Sequence, residues 1–500
     1  MAYSRPGVYI SERLLPAPLP GGVTANAAGA VVAPFAQGPE SVTLVNSWYE
    51  FTKYFGGYNA SYPATFQVGA FFSNGGRELY VQRLLASDAV AASVDLLTAG
   101  DATVATVTSK NAGTDGNNLR VVITAGSVAS TYTLTLYKES GVVDDITDDI
   151  LLERYENIVF DDEASSDFAE TVINLVSPNI EISNSASGTP VSTTYPLTGG
   201  DNGTATTDTD YTDYKGSEVA VFEQFTSLDR PLVMFLPVVN ALEDNVVDVF
   251  DAATSWAESN NGFVVIDTDA DLTVANAISF AGSLADTSVA AVYYPHMYIA
   301  DPLGRGAGAL RKIGPAGAVA GLYLTTDASR GVFKAPAGIG SALLGVVAPE
   351  KTFSSAELDS MNESTSPVNP IRQIPGAGLA VMGARTLKQD GTANKYVNMR
   401  RSLIYIKKNL KNLTEFAIFE NNDEKLWAQI RTTVGSFLNE YRNQGGLRGA
   451  TAAQAYFIKC DAENNSATQI ANGEVHIQVG VALQYPAEFI VIDLSQKTLN

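Results

Sequence analysis

Leu232-Val233-Met234-Phe235-Leu236 and Phe263-Val264-Val265-Ile266 are short apolar runs with no polar residue inside them. A strand with one wet face alternates apolar and polar side chains. A run without alternation needs cover on both faces, the signature of a buried parallel strand. Helical segments at 242–258 and 272–284 lie between and after these runs, and Ala290 to Ile299 reads as a further strand. This β-α-β-α-β order predicts a partly parallel sheet in an α/β fold.

Towards the N-terminus the same texture recurs. Residues 28–36 form an apolar strand that ends at Gly38-Pro39. Residues 47–55 carry a helix start, with Ser47 as N-cap and Glu50 three residues on, and close at Gly56-Gly57. Residues 64–73 predict a short amphipathic helix stopped by Asn74-Gly75-Gly76, and Glu78 to Leu84 a strand. Near Ser87 the pattern breaks. From 88 to 212, Thr, Ser, Asp and Val dominate. Strands are expected at 120–124 and 131–137, with Tyr132, Leu134 and Leu136 on one face, a helix near 166–176, and a loop over 183–210. The segment reads as an inserted, acidic, β-rich domain.

Towards the C-terminus, 422–444 is the clearest helix. Leu426, Ile430, Val434, Phe437, Leu438 and Tyr441 fall on one stripe, Asn422 or Asp423 can cap the start, and Gly445-Gly446 ends it. Residues 474–481 alternate, with Val475, Ile477, Val479 and Val481 on one face.

Both ends carry a strand without an evident partner. Residues 7–12, including Val8, Tyr9 and Ile10, precede Pro16, Pro18, Pro20, Gly21 and Gly22. Prolines at alternate positions favour an extended path. After Tyr485-Pro486 comes Glu488 to Leu494, with Ile490, Ile492 and Leu494 on one face and Phe489 and Val491 on the other. A lone strand must find ladder partners, and a tethered one can complete a neighbour's sheet. Such contacts are heterologous and build open helical arrays. The expected organisation is therefore an arm and tether at 1–25, an α/β core with a mixed sheet at 26–87 and 213–483, an inserted β-rich domain at 88–212, and a C-terminal arm at 484–500.

The chain has 500 residues and a formal net charge of −22. That charge argues against non-specific nucleic-acid binding and against docking on an anionic membrane. Residues 88–218 hold 22 acidic and 5 basic residues, whereas 400–450 hold 9 basic and 5 acidic. Either the basic region meets an acidic partner or both surfaces are simply solvated. Arg400, Arg401, Lys407, Lys408 and Lys411 are the candidate charge contacts, with a solvated helix face as the plainer alternative. Cys460 is the only cysteine, which excludes an intrachain disulfide and points to synthesis in a reducing compartment. The opening residues lack the apolar stretch of a signal peptide, and no apolar run reaches the roughly 18–20 residues of a membrane span.

Enzyme motifs are weak. His296 and His476 are the only histidines, with no Cys or His beside either to make a metal set. Gly304, Gly306 and Gly308 resemble a dinucleotide loop, but a following helix is not evident. Asp267, Asp269 and Asp271 begin like a calcium loop, yet Leu272 and Ile278 stand where the turn Gly and closing Glu belong. No cofactor and no metal are expected, and no catalytic residue is assigned.

An ordered set of short motifs resembles the contractile tail sheath family. It runs from Pro6-Gly7-Val8-Tyr9-Ile10-Ser11-Glu12 through Phe71-Phe72-Ser73-Asn74-Gly75-Gly76 and Gly331-Val332-Phe333-Lys334-Ala335-Pro336. It continues with Tyr396-Val397-Asn398-Met399-Arg400-Arg401, Phe419-Glu420-Asn421-Asn422 and Pro486-Ala487-Glu488-Phe489. The resemblance implies a non-enzymatic subunit that polymerises helically around an inner tail tube and contracts to drive the tube through a host envelope. It implies partners in the same chain, the tube protein, and baseplate and tail terminator proteins. It further implies a place in a virion tail assembled in the bacterial cytoplasm, and an outward-facing insertion. The tether residues Leu14 to Gly22 and Gln484 to Pro486 would absorb the movement. A genome-free contractile particle, such as a bacteriocin or extracellular injection system, fits equally. A surface-layer protein or adhesin is the rival from another class, and a dinucleotide enzyme a third.

Overall fold

The computed structural model describes residues 27–139, 149–184, 188–204, 206–217, 219–237, 242, 245–306, 308–388 and 393–488. The arm residues Val8, Tyr9, Ile10, Phe489, Ile490, Val491 and Ile492, and the tether residues Pro16, Pro18, Pro20, Gly21 and Gly22, lie outside them. The chain divides into two compact units. One runs over 27–330 and 334–400. The other takes 331–333 and the residues from Arg401 onward. The boundary at 400/401 falls inside the segment 213–483 that sequence reading treats as one piece.

The first unit is built on an eight-stranded mixed sheet. From edge to edge its strands are Gly378–Val381, Val368–Ile374, Ala290–Tyr294, Gly262–Asp267, Leu232–Phe235, Ala28–Pro34, Leu79–Leu84 and Thr43–Val45. The six inner strands pair in parallel and the two outermost pair antiparallel. Both apolar runs that open the sequence reading are inner strands, and every residue of Leu232–Phe235 and Gly262–Asp267 is buried. The expected strand Ala290 to Ile299 is two strands. Ala290–Tyr294 stays in the large sheet, while Met297–Ala300 joins a three-stranded sheet with Leu310–Ile313 and Val346–Pro349. Pro295 separates them, since it has no N–H for a ladder.

The helix Ala64–Ser73 forms where expected but is not amphipathic, because Ala64 to Phe71 are all buried. Helix Ala316–Arg330 covers its other side. Gly317 and Gly321, one turn apart, let the two backbones touch. A Cβ at Gly317 would meet the Gln67 carbonyl oxygen at 2.3 Å, and one at Gly321 that of Phe71 at 2.3 Å. Around this layer lies an aromatic cluster. Phe35 meets Phe51 edge-on at 5.3 Å, Tyr58 stacks on Phe66 at 5.2 Å, and Phe71 on Phe235 at 5.7 Å. Such pairs add roughly 0.5–1.5 kcal/mol each beyond the area they bury.

Between strands Leu79–Leu84 and Leu232–Phe235 the chain makes two antiparallel sheets. One has Ser93–Leu97, Thr103–Ser109 and Ile180–Asn184. The other has Thr194–Pro196, Leu119–Ala125, Tyr132–Lys138 and Ile150–Ile158. They share a separate apolar core that includes Leu96, Val107, Val121, Leu134, Leu136, Phe160 and Ile173. Helix Ala169–Val176 matches expectation, whereas the segment 183–210, read as loop, also carries the strand Thr194–Pro196.

Arg83 joins this β-rich segment to the large sheet. It is 1% exposed. Its guanidinium donates to the carbonyls of Phe35 at 3.1 Å, Gly38 at 3.1 Å and Ala112 at 2.9 Å. Burial lowers its pKa, opposed by the charges of Glu40 and Asp115. The Glu40 carboxylate accepts from the Ala112 amide at 2.8 Å and pairs with Lys215.

In the second unit, helix Glu424–Asn443 starts at Asp423, whose carboxylate accepts from the amides of Lys425 and Leu426. All six residues of the expected apolar stripe are buried. Of the segment 474–481, Gln478–Val481 forms a strand, paired antiparallel with Tyr456–Lys459.

Candidate functional site

The second unit carries an open two-stranded ribbon and a basic helix, and the first a cleft at the end of its large sheet. Tyr456–Lys459 and Gln478–Val481 make a two-stranded sheet in which, among the described residues, each strand has only the other as ladder partner. Its inner side rests on helix Glu424–Asn443, where the Tyr456 hydroxyl donates to the Gly435 carbonyl at 3.2 Å. Phe457 is 54% exposed. A two-stranded ribbon is marginal alone, and its outer edges present unpaired amides and carbonyls.

The helix Val397–Thr414 sorts the five basic candidates. Arg401 and Lys408 are 4% and 2% exposed. Seven residues apart, they share a helix face with Ile404. Both are buried within the chain, unlike the exposed contacts the expectation pictured. Lys407 and Lys411, one turn apart, are exposed. Arg400 is half-buried, and desolvation lowers its pKa against the charge of Glu258. Of the arm and hinge candidates, Pro486 is half-buried and Glu488 exposed.

A cleft of about 320 Å³ sits at the carboxyl end of strand Gly262–Asp267, lined in part by Phe66, Gln67, Asp267, His296, Arg311 and Lys312. In an open α/β sheet this is where ligands bind. The side chains of Gln67, Asp267, His296, Arg311 and Lys312 are engaged within the chain. Asp267 accepts from Gln67 Nε2 at 2.8 Å and from the Ala316 amide at 2.6 Å, at the start of helix Ala316–Arg330. Full burial raises its pKa to about 6, opposed by His296 and by these two hydrogen bonds. His296 Nε2 lies 2.7 Å from the Thr268 carbonyl. Arg311 pairs with Asp301 at 3.0 Å and stacks over Phe66 at 4.2 Å, while Lys312 pairs with Asp271 and Glu350. The helix amides that would hold an anion are already taken by Asp267 and Gln67. His476 is at the surface beside Glu474. Gly304 and Gly308 lie in the connection between the antiparallel strands Met297–Ala300 and Leu310–Ile313, with no helix start. Among the described residues, no group of three His, Cys, Asp or Glu side chains is placed to hold a metal ion.

Sequence reading missed three features: Arg83, the open ribbon, and an exposed tip at Ile418–Phe419. Arg83 lies in a strand pattern that says nothing of carbonyls far along the chain. The tip shows as two apolar residues among acidic ones, but its exposure is a tertiary fact.

Residues 389–497 match the phage tail sheath C-terminal domain. The tail sheath protein of Vibrio phage KVP40 is 25% identical over 179 residues, 36% of this chain and 26% of that protein. The tail sheath protein of Enterobacteria phage T4 is 24% identical over 157 residues, 31% of this chain and 23% of that protein. The matched segments thus span about a quarter of those relatives' own length. The fold resembles the sheath complex of an extracellular contractile injection system in its contracted state, with a TM-score of 0.58, 22% identity and 99% of each chain covered. It also resembles the sheath tail protein from Listeria innocua, with a TM-score of 0.61, 13% identity and 92% and 96% of the two chains covered. The chain is therefore similar to contractile tail sheath proteins, in its matched C-terminal domain and in the fold it shares with solved sheath subunits.

Proposed function

We propose that this chain is a structural subunit of a contractile sheath that polymerises helically around an inner tube and contracts to drive the tube through a host envelope. The carrying observation is the two-stranded ribbon inside the matched segment, whose outer edges have no ladder partner among the described residues. A ribbon with free edges accepts strands, and the apolar end segments at 7–12 and 488–494 are suited to supply them. Each copy then donates and accepts, which links an open array.

The tethers at Leu14 to Gly22 and Gln484 to Pro486 let subunits move as rigid bodies while the strand pairings persist. Of the five basic candidates the exposed Lys407 is the one assigned to the tube or a neighbour, and the acidic insertion faces outward. Baseplate and terminator proteins complete the partner set, in a particle tail assembled in a bacterial cytoplasm. A genome-free particle is the second reading, favoured by the likeness to an extracellular injection system sheath. Capsid and terminase genes beside this one would decide for a phage.

The test is negative-stain microscopy and sedimentation of the purified chain, intact and lacking residues 1–15 or 487–500. Intact protein is expected to form striated hollow tubes, and either truncation to remain a folded monomer. Normal tubes from either truncation would sink strand exchange.

A further inference from the structure

Between the helices Val397–Thr414 and Glu424–Asn443 the chain makes a tip at Ile418-Phe419. Phe419 is fully exposed, at 105%, and Ile418 is 64% exposed. Phe419 also has φ of +66°. This left-handed region is strained for a bulky side chain. The tip is braced. The Trp427 indole donates to Asn422 Oδ1 at 2.9 Å, Asn422 Nδ2 donates to the Glu474 carbonyl at 2.8 Å, and Asp423 caps the following helix. Glu415, Glu420, Asp423 and Glu424 are exposed around it. A strained, rigidly held and fully solvated aromatic gains nothing inside its own chain, and strain of this kind collects at functional sites. Such an anchor loses little entropy on binding.

The first unit carries a surface of the opposite character. Ile339 is 69% and Leu344 62% exposed. Asn74 fixes Leu344 by accepting from its amide at 2.7 Å and donating to its carbonyl at 3.2 Å. Arg77 follows three residues on and is exposed. The Asn74 carbonyl accepts from Thr325 at 2.8 Å, on the helix that ends at the exposed Arg330. Lys334 donates to the carbonyls of Ala335 and Ala337, just before Ile339. Its pKa is lowered by burial and by the neighbouring Arg330 cation. Arg77, Arg330 and Lys334 form no ion pair among the described residues.

We propose that the Ile418–Phe419 tip of one copy docks on the Ile339–Leu344 patch of the next, its carboxylates facing Arg77, Arg330 and Lys334. The two surfaces are different parts of the same chain, so the contact is heterologous and propagates instead of closing. The apolar pair supplies the anchor and the charges set orientation and partner choice. This contact rests on the self-assembly proposed above but uses neither terminal arm.

Phe419→Gly removes the ring and suits the positive φ. It is expected to leave the monomer's denaturation midpoint unchanged or higher, while raising the critical concentration for polymerisation by about tenfold or more, the scale of one lost aromatic anchor. Glu420→Lys and Arg330→Glu should each weaken polymerisation, and the double variant should recover part of the loss. If Phe419→Gly polymerises like the parent chain, or if the double variant is no better than the worse single one, the contact is wrong although the sheath reading stands. A loss seen only when tube protein is added would assign the tip to the tube and overturn the contact. Failure of the parent chain to polymerise at all would overturn both.

Discussion

In the strand Gly262–Asp267 all six residues are buried, whereas in Ile150–Ile158 only Ile158 is. The first lies inside a parallel sheet with helices on its faces. The second is at the edge of an antiparallel sheet with one face to water. The large sheet is held by apolar contact on two sides, so its burial is dense and tolerates no change of volume. The β-rich segment between residues 93 and 196 has one core between two small sheets, and much of its remaining surface is exposed. The difference separates the part of the molecule that sets its rigidity from the part with surface to vary. Arg83 connects them through backbone carbonyls and not through apolar packing.

The sharpest way to break this comparison is Phe71→Ala. Phe71 is wholly buried against Phe235 and helix Ala316–Arg330. Its loss should lower the stability of the large-sheet region by about 3–5 kcal/mol, the usual range for a core Phe. Hydrogen exchange should rise in Leu232–Phe235 first. Equal loss of protection in strand Tyr132–Lys138 would mean that the two cores are one cooperative unit.

Arg83→Met tests the joint. It leaves the carbonyls of Phe35, Gly38 and Ala112 without their guanidinium donor, at about 3 kcal/mol in total. Exchange and proteolysis are expected to increase at 35–40 and 111–114 while both cores keep their protection. Melting of either core would show that Arg83 supports packing and not only the connection.

Asp267 gives the smallest effect and the most specific one. Its folded pKa, about 6, lies above its ordinary value of 3.8, so the folded state holds more protons between those limits. Stability contributed by this group is therefore present at pH 4 and lost as pH rises through 6, by about 2–3 kcal/mol at roughly 1.4 kcal/mol per unit. Glu357 works in the opposite sense. Its backbone hydrogen bond from Ser354 and its Lys351 partner lower its pKa to about 2. Urea midpoints of the parent and Asp267→Asn, compared from pH 4 to 7, isolate the Asp267 contribution. Parallel curves would mean that the group is not held as this burial implies.

Legibility in the sequence followed the range of the forces involved. Helix caps are local, so Ser47 was readable and the second cap was narrowed to Asn422 or Asp423; Ser47 and Asp423 accept amides two or three residues on. The stripe from Leu426 to Tyr441 gave both the helix and its buried face. The helix Ala64–Ser73 was placed correctly, but its total burial was not, because the cover comes from residues 316–330. Among the basic candidates, helical spacing alone would have separated Arg401 and Lys408 from Lys407 and Lys411. Which of those two faces was buried needed the tertiary structure.

By itself the sequence determined that 232–236 and 263–266 are inner strands and that the chain changes texture between 88 and 212. Those properties follow from periodicity, composition and the side chains present, which act over one or two turns of chain. The sequence also placed 26–87 and 213–483 in one core, but only the tertiary structure decided the strand order within that sheet, that Arg83 locks the β-rich segment to it, and that the Phe419 ring stands fully in solvent. These depend on residues distant in sequence, whose approach is set by the competition of all contacts at once and leaves no local pattern to read.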